Sequence, residues 1–350
     1  MSDADVRADW QGIKVFTTEV FAQVGMPRED AETEADVLVW ANLRGVDSHG
    51  VLRIPMYLDW VDAGNMNPTP NIRVLNETPA TMTMDADFAF GPVVTVMAMN
   101  RAIEKAKEVG ICWVIIKDTT HQGAMGYYTL MAARENMAGI ASVCSPPNMA
   151  PAGAKAPGVH NSPISIAVPA ERYEPLILDM ATSVVAGGKI DLAIDKGEKI
   201  PFGWLIDEQG NPTTDPRQRG SLLPIAGPKG SGLAIMLECL SSLMVGNPKL
   251  SPVLLGGNEN LRGIQNSFLV AIDIGAFTDV ESYRRNVDET IDGIKSLPRE
   301  EGTDEIFMPG EPEQRVYEER IVEGIPLPAG TMERLQEVSK RFGIPMFPTM

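Results

Sequence analysis

The sequence predicts an α/β protein of the α+β type, in which helices flank a sheet of short strands. Helical periodicity fills the first 70 residues and returns near the C-terminus, and short strands are frequent between these regions. Several gaps between the later strands hold no helix, so these strands can pair antiparallel and do not form a regular βα repeat. The Gly-x-Gly-x-x-Gly turn of a Rossmann fold is absent.

The composition is that of a globular protein. The chain has 350 residues, of which 44% are hydrophobic and 22% charged, and a chain of this length divides into two or three subdomains. Its 47 acidic and 30 basic side chains leave a formal charge of −17. We expect no nucleic-acid partner, because an anionic surface repels phosphate backbones and no basic cluster is present.

The N-terminus and the cysteines predict a cytoplasmic protein without disulfides. The N-terminus is acidic and leads into a helical pattern, unlike a signal peptide. No apolar run approaches the roughly 20 residues that span a bilayer, so we expect no membrane partner. The cysteines lie apart in apolar stretches and are interpreted as buried small residues; they are Cys112, Cys144 and Cys239.

Helices separated by glycine and proline fill the first 70 residues. We expect helices over residues 6–24, from Pro27 to about Gly45, and from Ser48 to Gly64. Beyond the Pro-Thr-Pro sequence at 68–70, alternation predicts strands over 72–75 and 81–84. This change of period predicts a subdomain boundary near residue 70.

Helices and strands mix after this boundary. The pattern predicts helices over residues 92–109 and 127–136, and strands over 112–117, 140–144, 164–168 and 176–178. An apolar helix is expected over 233–245, and further helices over 280–297, 313–322 and 331–342.

The sequence Ser48-His49-Gly50 carries the clearest chemical signal. The chain has three histidines, and a neutral imidazole gives or takes a proton near pH 7. Arg53 lies four residues on, one helical turn away, where its planar guanidinium could clamp a carboxylate. This pairing indicates chemistry beside an acid group. The alternative is a helix N-cap serine followed by a surface histidine.

A glycine-rich turn, Gly-Pro-Lys-Gly-Ser-Gly at residues 227–232, precedes the helix expected over 233–245. Such a turn directs backbone N–H groups and the Lys229 ammonium towards an anion, although the same pattern also suits an ordinary turn. Metal-ligand spacings, a nucleophile elbow and a Walker-type phosphate loop are absent from the sequence, so we expect no metal site.

Several motifs resemble, in the same order, the type-2 malate/L-lactate dehydrogenase family. They are the segment 45–57, Thr-His-Gln-Gly-Ala-Met-Gly-Tyr-Tyr at 120–128, Leu-Asp-Met-Ala-Thr-Ser at 178–183, Asn-Pro-Thr-Thr-Asp-Pro at 211–216 and Ala-Gly-Pro-Lys-Gly at 226–230. The resemblance covers nearly the whole chain. It implies a non-Rossmann, mostly antiparallel sheet, a helical subdomain formed by both termini, and a homodimer.

The resemblance also implies domains and a cofactor. We expect residues 1–70 and 298–350 to form the helical subdomain, 71–120 a small α/β segment, and 121–297 the cofactor-binding domain. The implied cofactor is NAD or NADP, and the sequence leaves this choice open. The implied cofactor-binding residues are Ser145, Asp179, Met180, Ala181, Lys229, Gly310, Glu311 and Pro312. Asp179, at the end of an apolar strand, also suits a capping role.

The resemblance offers two imidazoles, His49 and His121, for the proton that moves with the hydride. We prefer His49, because Ser48 or a carboxylate such as Asp179 could fix its tautomer, and we assign His121 as its partner. The expected catalytic residues are therefore His49, His121, Ser48 and Asp179. The expected substrate-binding residues are Arg53 and Tyr57.

The expected reaction is hydride transfer between NAD(P) and C2 of a small 2-hydroxy acid or 2-oxo acid, such as malate, lactate or ureidoglycolate. Reduction of a cyclic imino acid, cofactor binding without turnover, and hydrolysis of an acidic amide are the alternatives. One motif departs from the family. Residues 160–163 read His-Asn-Ser-Pro where Gly-Thr-Asn-Pro is common, and His160 is interpreted as a structural or surface residue.

Overall fold

The structure, a computed structural model, describes residues 6–218, 220–257 and 263–350. The strands are β1 (Val6–Ala8), β2 (Arg73–Glu77), β3 (Thr81–Asp85), β4 (Ile111–Thr119), β5 (Met137–Cys144), β6 (Ile164–Val168), β7 (Leu176–Met180), β8 (Leu205–Ile206), β9 (Pro212–Thr213), β10 (Ser221–Leu222), β11 (Gln265–Asp273) and β12 (Ile325–Leu327). The helices are α1 (Trp10–Gln23), α2 (Arg28–Leu43), α3 (Ile54–Asp62), α4 (Gly91–Val109), α5 (Gly126–Arg134), α6 (Gly187–Lys196), α7 (Pro228–Glu238), α8 (Ser251–Leu254), α9 (Val280–Lys295), α10 (Glu311–Glu323) and α11 (Ala329–Phe342).

A seven-stranded sheet with the order β2-β3-β4-β11-β5-β6-β7 forms the centre of the fold. The strands β3 and β4 are parallel, and the other neighbouring pairs are antiparallel. Helices α4 and α5 pack against the sheet. A smaller sheet has the order β10-β8-β9. The prediction of a mixed, mostly antiparallel sheet flanked by helices is confirmed.

The two ends of the chain meet in one hydrophobic core. Strand β1 pairs antiparallel with β12, with Ala8 opposite Ile325. Phe16 on α1 packs edge-on against Phe347, with ring centroids 5.4 Å apart. The same buried cluster includes side chains of α2, α3 and α11. Helices from both termini therefore bury their apolar faces against one another, while the predicted subdomain boundaries stay a prediction.

Two helices near the N-terminus differ from the predictions. The first begins at Trp10 and not at residue 6, because Val6–Ala8 pairs as β1 and the Asp9 carboxylate caps the helix by accepting from Gly12 N–H at 2.7 Å. The third helix was expected from Ser48, but two 3₁₀ turns, Asp47–His49 and Val51–Arg53, precede α3. His49 and Arg53 therefore do not lie one α-helical turn apart.

The central strand β11 was missed in the sequence, as were α6 and the small sheet. Residues 268–272 of β11 read Phe-Leu-Val-Ala-Ile, an apolar run typical of a strand buried on both faces. The apolar helix expected over 233–245 instead begins at Pro228 as α7 and continues into a π-helical turn, Cys239–Leu243.

Two further expectations concerned the burial of the cysteines and the absence of membrane-spanning segments. Cys112 and Cys144 are fully buried, as predicted, and Cys239 is half-buried. Among the residues that the structure describes, no helix combines the length and apolar character needed to cross a membrane.

We predict that Leu269→Ala destabilises the fold by about 2–5 kcal/mol, because it leaves a cavity in the central strand. Leu269 is fully buried on β11. The matched control is Val322→Ala, at a side chain that is 72% exposed. Urea unfolding of both variants measures the difference in the free energy of unfolding. Equal unfolding midpoints would contradict the prediction that packing of the Leu269 side chain on β11 stabilises the fold.

Candidate active site

A cleft of about 930 Å³ contains most of the predicted site residues. Its volume lies at the upper end of the range for small-molecule sites, roughly 300–1,000 Å³. All three histidines of the chain line it. The other predicted residues in its wall are Ser48, Arg53, Asp179, Met180, Ala181, Gly310 and Pro312.

The two imidazoles expected to act together are stacked in this cleft. The ring centroids of His49 and His121 are 5.3 Å apart, and the ring planes differ by 25°. His49 lies on the 3₁₀ turn after α2, and His121 follows β4. The fold therefore brings together two residues that are far apart in the sequence.

The Ser48 hydroxyl and the Arg53 charge both act on the His49 ring. The Ser48 hydroxyl lies 2.8 Å from His49 Nδ1, and Arg53 Nε donates to the Ser48 carbonyl at 2.7 Å. The surrounding protein, together with the Arg53 charge, lowers the pKa of His49 to about 4. His49 is therefore neutral near pH 7.

A partly buried hydrogen-bond network holds the turn that carries His49. Asn42 Oδ1 accepts from Val51 N–H at 2.8 Å, and Asn42 Nδ2 donates to Asp47 at 2.7 Å. Arg320 on α10 donates to both Asp47 carboxylate oxygens, at 2.7 and 3.1 Å. These residues were missed in the sequence, because the ion pair joins positions at opposite ends of the chain.

Tyr57 and the Gly123 backbone contact Nδ1 of His121. The Tyr57 hydroxyl lies 2.6 Å from His121 Nδ1, and Gly123 N–H donates to the same nitrogen at 3.3 Å. Burial and the Arg53 charge hold the pKa of His121 well below its usual value. Tyr57 is fully buried and does not line the cleft, although we expected it to bind substrate.

Asp179 caps α5 within the cleft wall. Its Oδ2 accepts from Gly126 N–H, at the start of α5, at 2.6 Å. This is the capping contact that the sequence also allowed, and the group at His49 Nδ1 is the Ser48 hydroxyl. The catalytic role expected for Asp179 stays a prediction. The protein around this carboxyl group raises its pKa to about 6.

The loop before α10 forms the wall next to Asp179. Gly310 has a φ of 84°, and a Cβ there would lie 3.0 Å from the Ile177 carbonyl oxygen, so the turn suits glycine. Arg44 donates to the Gly310 carbonyl and to Gln314, both at 2.9 Å. Arg44 was another residue that we missed, although it directly precedes the 45–57 segment.

Some predicted cofactor residues lie outside the cleft lining. Lys229 is exposed at the start of α7. Ser145 donates to the Ile264 carbonyl at 3.4 Å, and both carboxylate oxygens of Glu311 accept from Lys295 at 2.8 Å.

Two further residues of the cleft were not expected there, since His160 was interpreted as a structural or surface residue and Gly188 was not considered. His160 is 8% exposed, lines the cleft and has Nδ1 3.3 Å from the Ser162 hydroxyl. Gly188 on α6 packs directly on the turn that carries His49, since a Cβ there would lie 2.3 Å from Ser48 Cβ. Within the described ranges, no group of three or more His, Cys, Asp or Glu side chains is arranged to hold a metal ion.

Comparison with known proteins identifies the family. The family model for malate/L-lactate dehydrogenase matches residues 8–336. The chain belongs to this family and is an oxidoreductase.

Similar proteins span several named activities. L-sulfolactate dehydrogenase of Methanocaldococcus jannaschii is 39% identical over 334 residues, which are 95% of this chain and 96% of that protein. Ureidoglycolate dehydrogenase (NAD(+)) of Escherichia coli O157:H7 is 34% identical over 87% of each chain. The crystal structure of malate dehydrogenase from Entamoeba histolytica matches with a TM-score of 0.92 and 28% identity, over 97% of this chain and 98% of that one.

We predict that Gly50→Ala lowers both the thermal midpoint and the turnover. A Cβ at Gly50 would lie 2.1 Å from Asn42 Oδ1, so the turn that carries His49 must shift, at a cost of about 1–3 kcal/mol. The control is Gly293→Ala on α9, where a Cβ meets no atom within 4 Å. Scanning calorimetry compares the two variants, and a Gly50→Ala protein as stable and active as Gly293→Ala would contradict the packing argument.

Proposed function

We propose that the protein is an NAD(P)-dependent dehydrogenase that interconverts a small 2-hydroxy acid and its 2-oxo acid. The observation that carries this proposal is the stacked pair of His49 and His121 beside Arg53 in one cleft. The names of the similar proteins support it, because malate, sulfolactate and ureidoglycolate are all 2-hydroxy acids. The homodimer and the cytoplasmic location stay predictions.

The cleft suits a dinucleotide along the wall formed by β7 and the loop before α10. Its volume accommodates an extended ligand together with a small acid. The residues that would hold the cofactor are Asp179, Met180, Ala181, Gly310 and Pro312. When bound, the nicotinamide supplies or accepts the hydride. Ser145, Lys229 and Glu311 remain proposed cofactor residues.

Arg53 and His49 would act on the substrate. The Arg53 guanidinium would bind the carboxylate, since its planar fork matches two oxygens. Neutral His49 would take the hydroxyl proton of a 2-hydroxy acid, and its protonated form would return this proton in reduction. A bound carboxylate offsets the Arg53 charge, which removes one of the two causes that lower the pKa of His49. Substrate binding therefore favours proton uptake by His49.

A panel of substrates and cofactors tests the proposal. Purified protein is mixed with NADH or NADPH and with 2-oxo acids, including oxaloacetate, pyruvate and sulfopyruvate, and the loss of reduced-cofactor absorbance is followed. We expect turnover with at least one 2-oxo acid. Activity only with cyclic imino acids would favour the alternative reductase, and cofactor binding without any turnover would contradict the proposal.

We predict that His49→Ala lowers turnover by about 100-fold or more, because loss of a general acid/base typically costs 10²–10⁴. Its affinity for the reduced cofactor should stay close to that of the wild type. Steady-state kinetics and cofactor titration measure both quantities. An inactive His121→Ala beside a largely active His49→Ala would assign proton transfer to His121.

We predict that Arg53→Lys raises the substrate KM more than the cofactor Kd. Lysine keeps the charge but lacks the planar fork that matches a carboxylate. The two constants are measured on the same purified variant. Equal increases in both would indicate that Arg53 serves the fold through its bond to Ser48 and does not bind substrate.

A further inference from the structure

We infer that Tyr57 is a positioning residue that, together with the Gly123 backbone N–H, holds neutral His121 in one tautomer, with the proton on Nε2. The role of this tautomer in turnover rests on the proposed function, whereas the tautomer itself can be measured without any reaction. Tyr57 was expected to contact substrate, and its burial behind His121 indicates a different task.

The Tyr57 hydroxyl is fixed relative to the His121 ring. The Tyr57 side chain is fully buried, and its ring lies among Phe21, Phe90 and Trp60, with centroids 6.4, 6.0 and 6.1 Å away. Its oxygen lies 2.6 Å from His121 Nδ1. Close packing leaves a buried aromatic side chain little freedom to change rotamer. The hydroxyl therefore stays against Nδ1.

The backbone of Gly123 determines which way this hydrogen bond runs. A backbone N–H can only donate, and Gly123 N–H donates to His121 Nδ1 at 3.3 Å. Nδ1 is therefore an acceptor and carries no proton in the neutral ring. The Tyr57 hydroxyl, at the shorter distance of 2.6 Å, can then donate to the same nitrogen, whose single lone pair the two donors share. Burial also raises the pKa of Tyr57 well above its usual value, which keeps this donor protonated.

The consequence is a difference between the two stacked imidazoles. With Nδ1 occupied, His121 has Nε2–H as its one ring donor, and a neutral imidazole of this kind can polarise a substrate carbonyl. His49 differs, because its Nδ1 faces the Ser48 hydroxyl, which can donate or accept, whereas the Gly123 N–H at His121 Nδ1 can only donate. His49 can therefore change protonation state without losing its partner. We assign hydrogen-bond donation to His121 and proton transfer to His49.

The first test is Tyr57→Phe, with Tyr173→Phe as the control. The Tyr173 hydroxyl also makes a hydrogen bond of 2.6 Å, to Asp292, and Tyr173 lies outside the cleft lining. We expect Tyr57→Phe to lower kcat by roughly 10- to 100-fold, as a misoriented group does, with substrate KM within about twofold. Tyr173→Phe should leave kcat within about twofold. Equal losses of kcat in both variants would overturn the inference.

The second test reads the tautomer directly by ¹⁵N NMR of histidine-labelled protein. The chain has three histidines, so His49→Ala and His160→Gln assign the remaining signals to His121. We expect a protonated Nε2 and an unprotonated Nδ1 in the wild type, and a shifted Nδ1 signal in Tyr57→Phe, because only the longer Gly123 hydrogen bond at 3.3 Å then remains on this nitrogen. A wild-type His121 protonated on Nδ1, or an unchanged spectrum in Tyr57→Phe, would overturn the inference. Failure of every 2-oxo acid would contradict only the proposed function.

Discussion

The antiparallel pairing of β11 with β4 and β5 is the constraint on which the sheet and the candidate site depend. This strand lies at the centre of the sheet and joins two parts of the chain that precede it. Its first residues also fix the loop that carries His121. Gln265 accepts from Gln122 N–H at 3.2 Å, and Ser267 accepts from the Gln122 side chain at 2.9 Å. The strand pairing at the centre of the sheet therefore also positions the His121 imidazole.

Local periodicity predicted the regular elements and failed where distant contacts decide the backbone. Strand β6 was predicted with its observed bounds, because its alternation is a local property. Residues 6–8 carry a helical pattern, yet they pair with β12 near the other end of the chain. Gly50 interrupts the third helix because its backbone approaches Asn42, which no local pattern reveals. Strand β11 was missed because its apolar core follows a polar start, Gln-Asn-Ser.

The residue types of the candidate site could be predicted, but their orientations could not. The resemblance pointed to His49, His121 and Asp179, and the fold places all three in one cleft. The direction in which a side chain points depends on what packs behind it. Tyr57 points inward because aromatic rings surround it, and Glu311 points towards Lys295 because that ammonium lies opposite. Such contacts are set by tertiary packing, which a single sequence does not specify.

Arg44 and Arg320 connect α10 and the loop before it to the turn that carries His49. Arg44, which follows α2, donates to the Gly310 carbonyl at the start of α10. Arg320, further along α10, donates to Asp47 and to the Asn42 carbonyl. Breaking a partly buried ion pair is costly, because the remaining charge is left without its partner. A displacement of α10 at Gly310 would therefore strain the turn that carries His49. The positions of His49 and of the proposed cofactor wall are thus set by the same contacts.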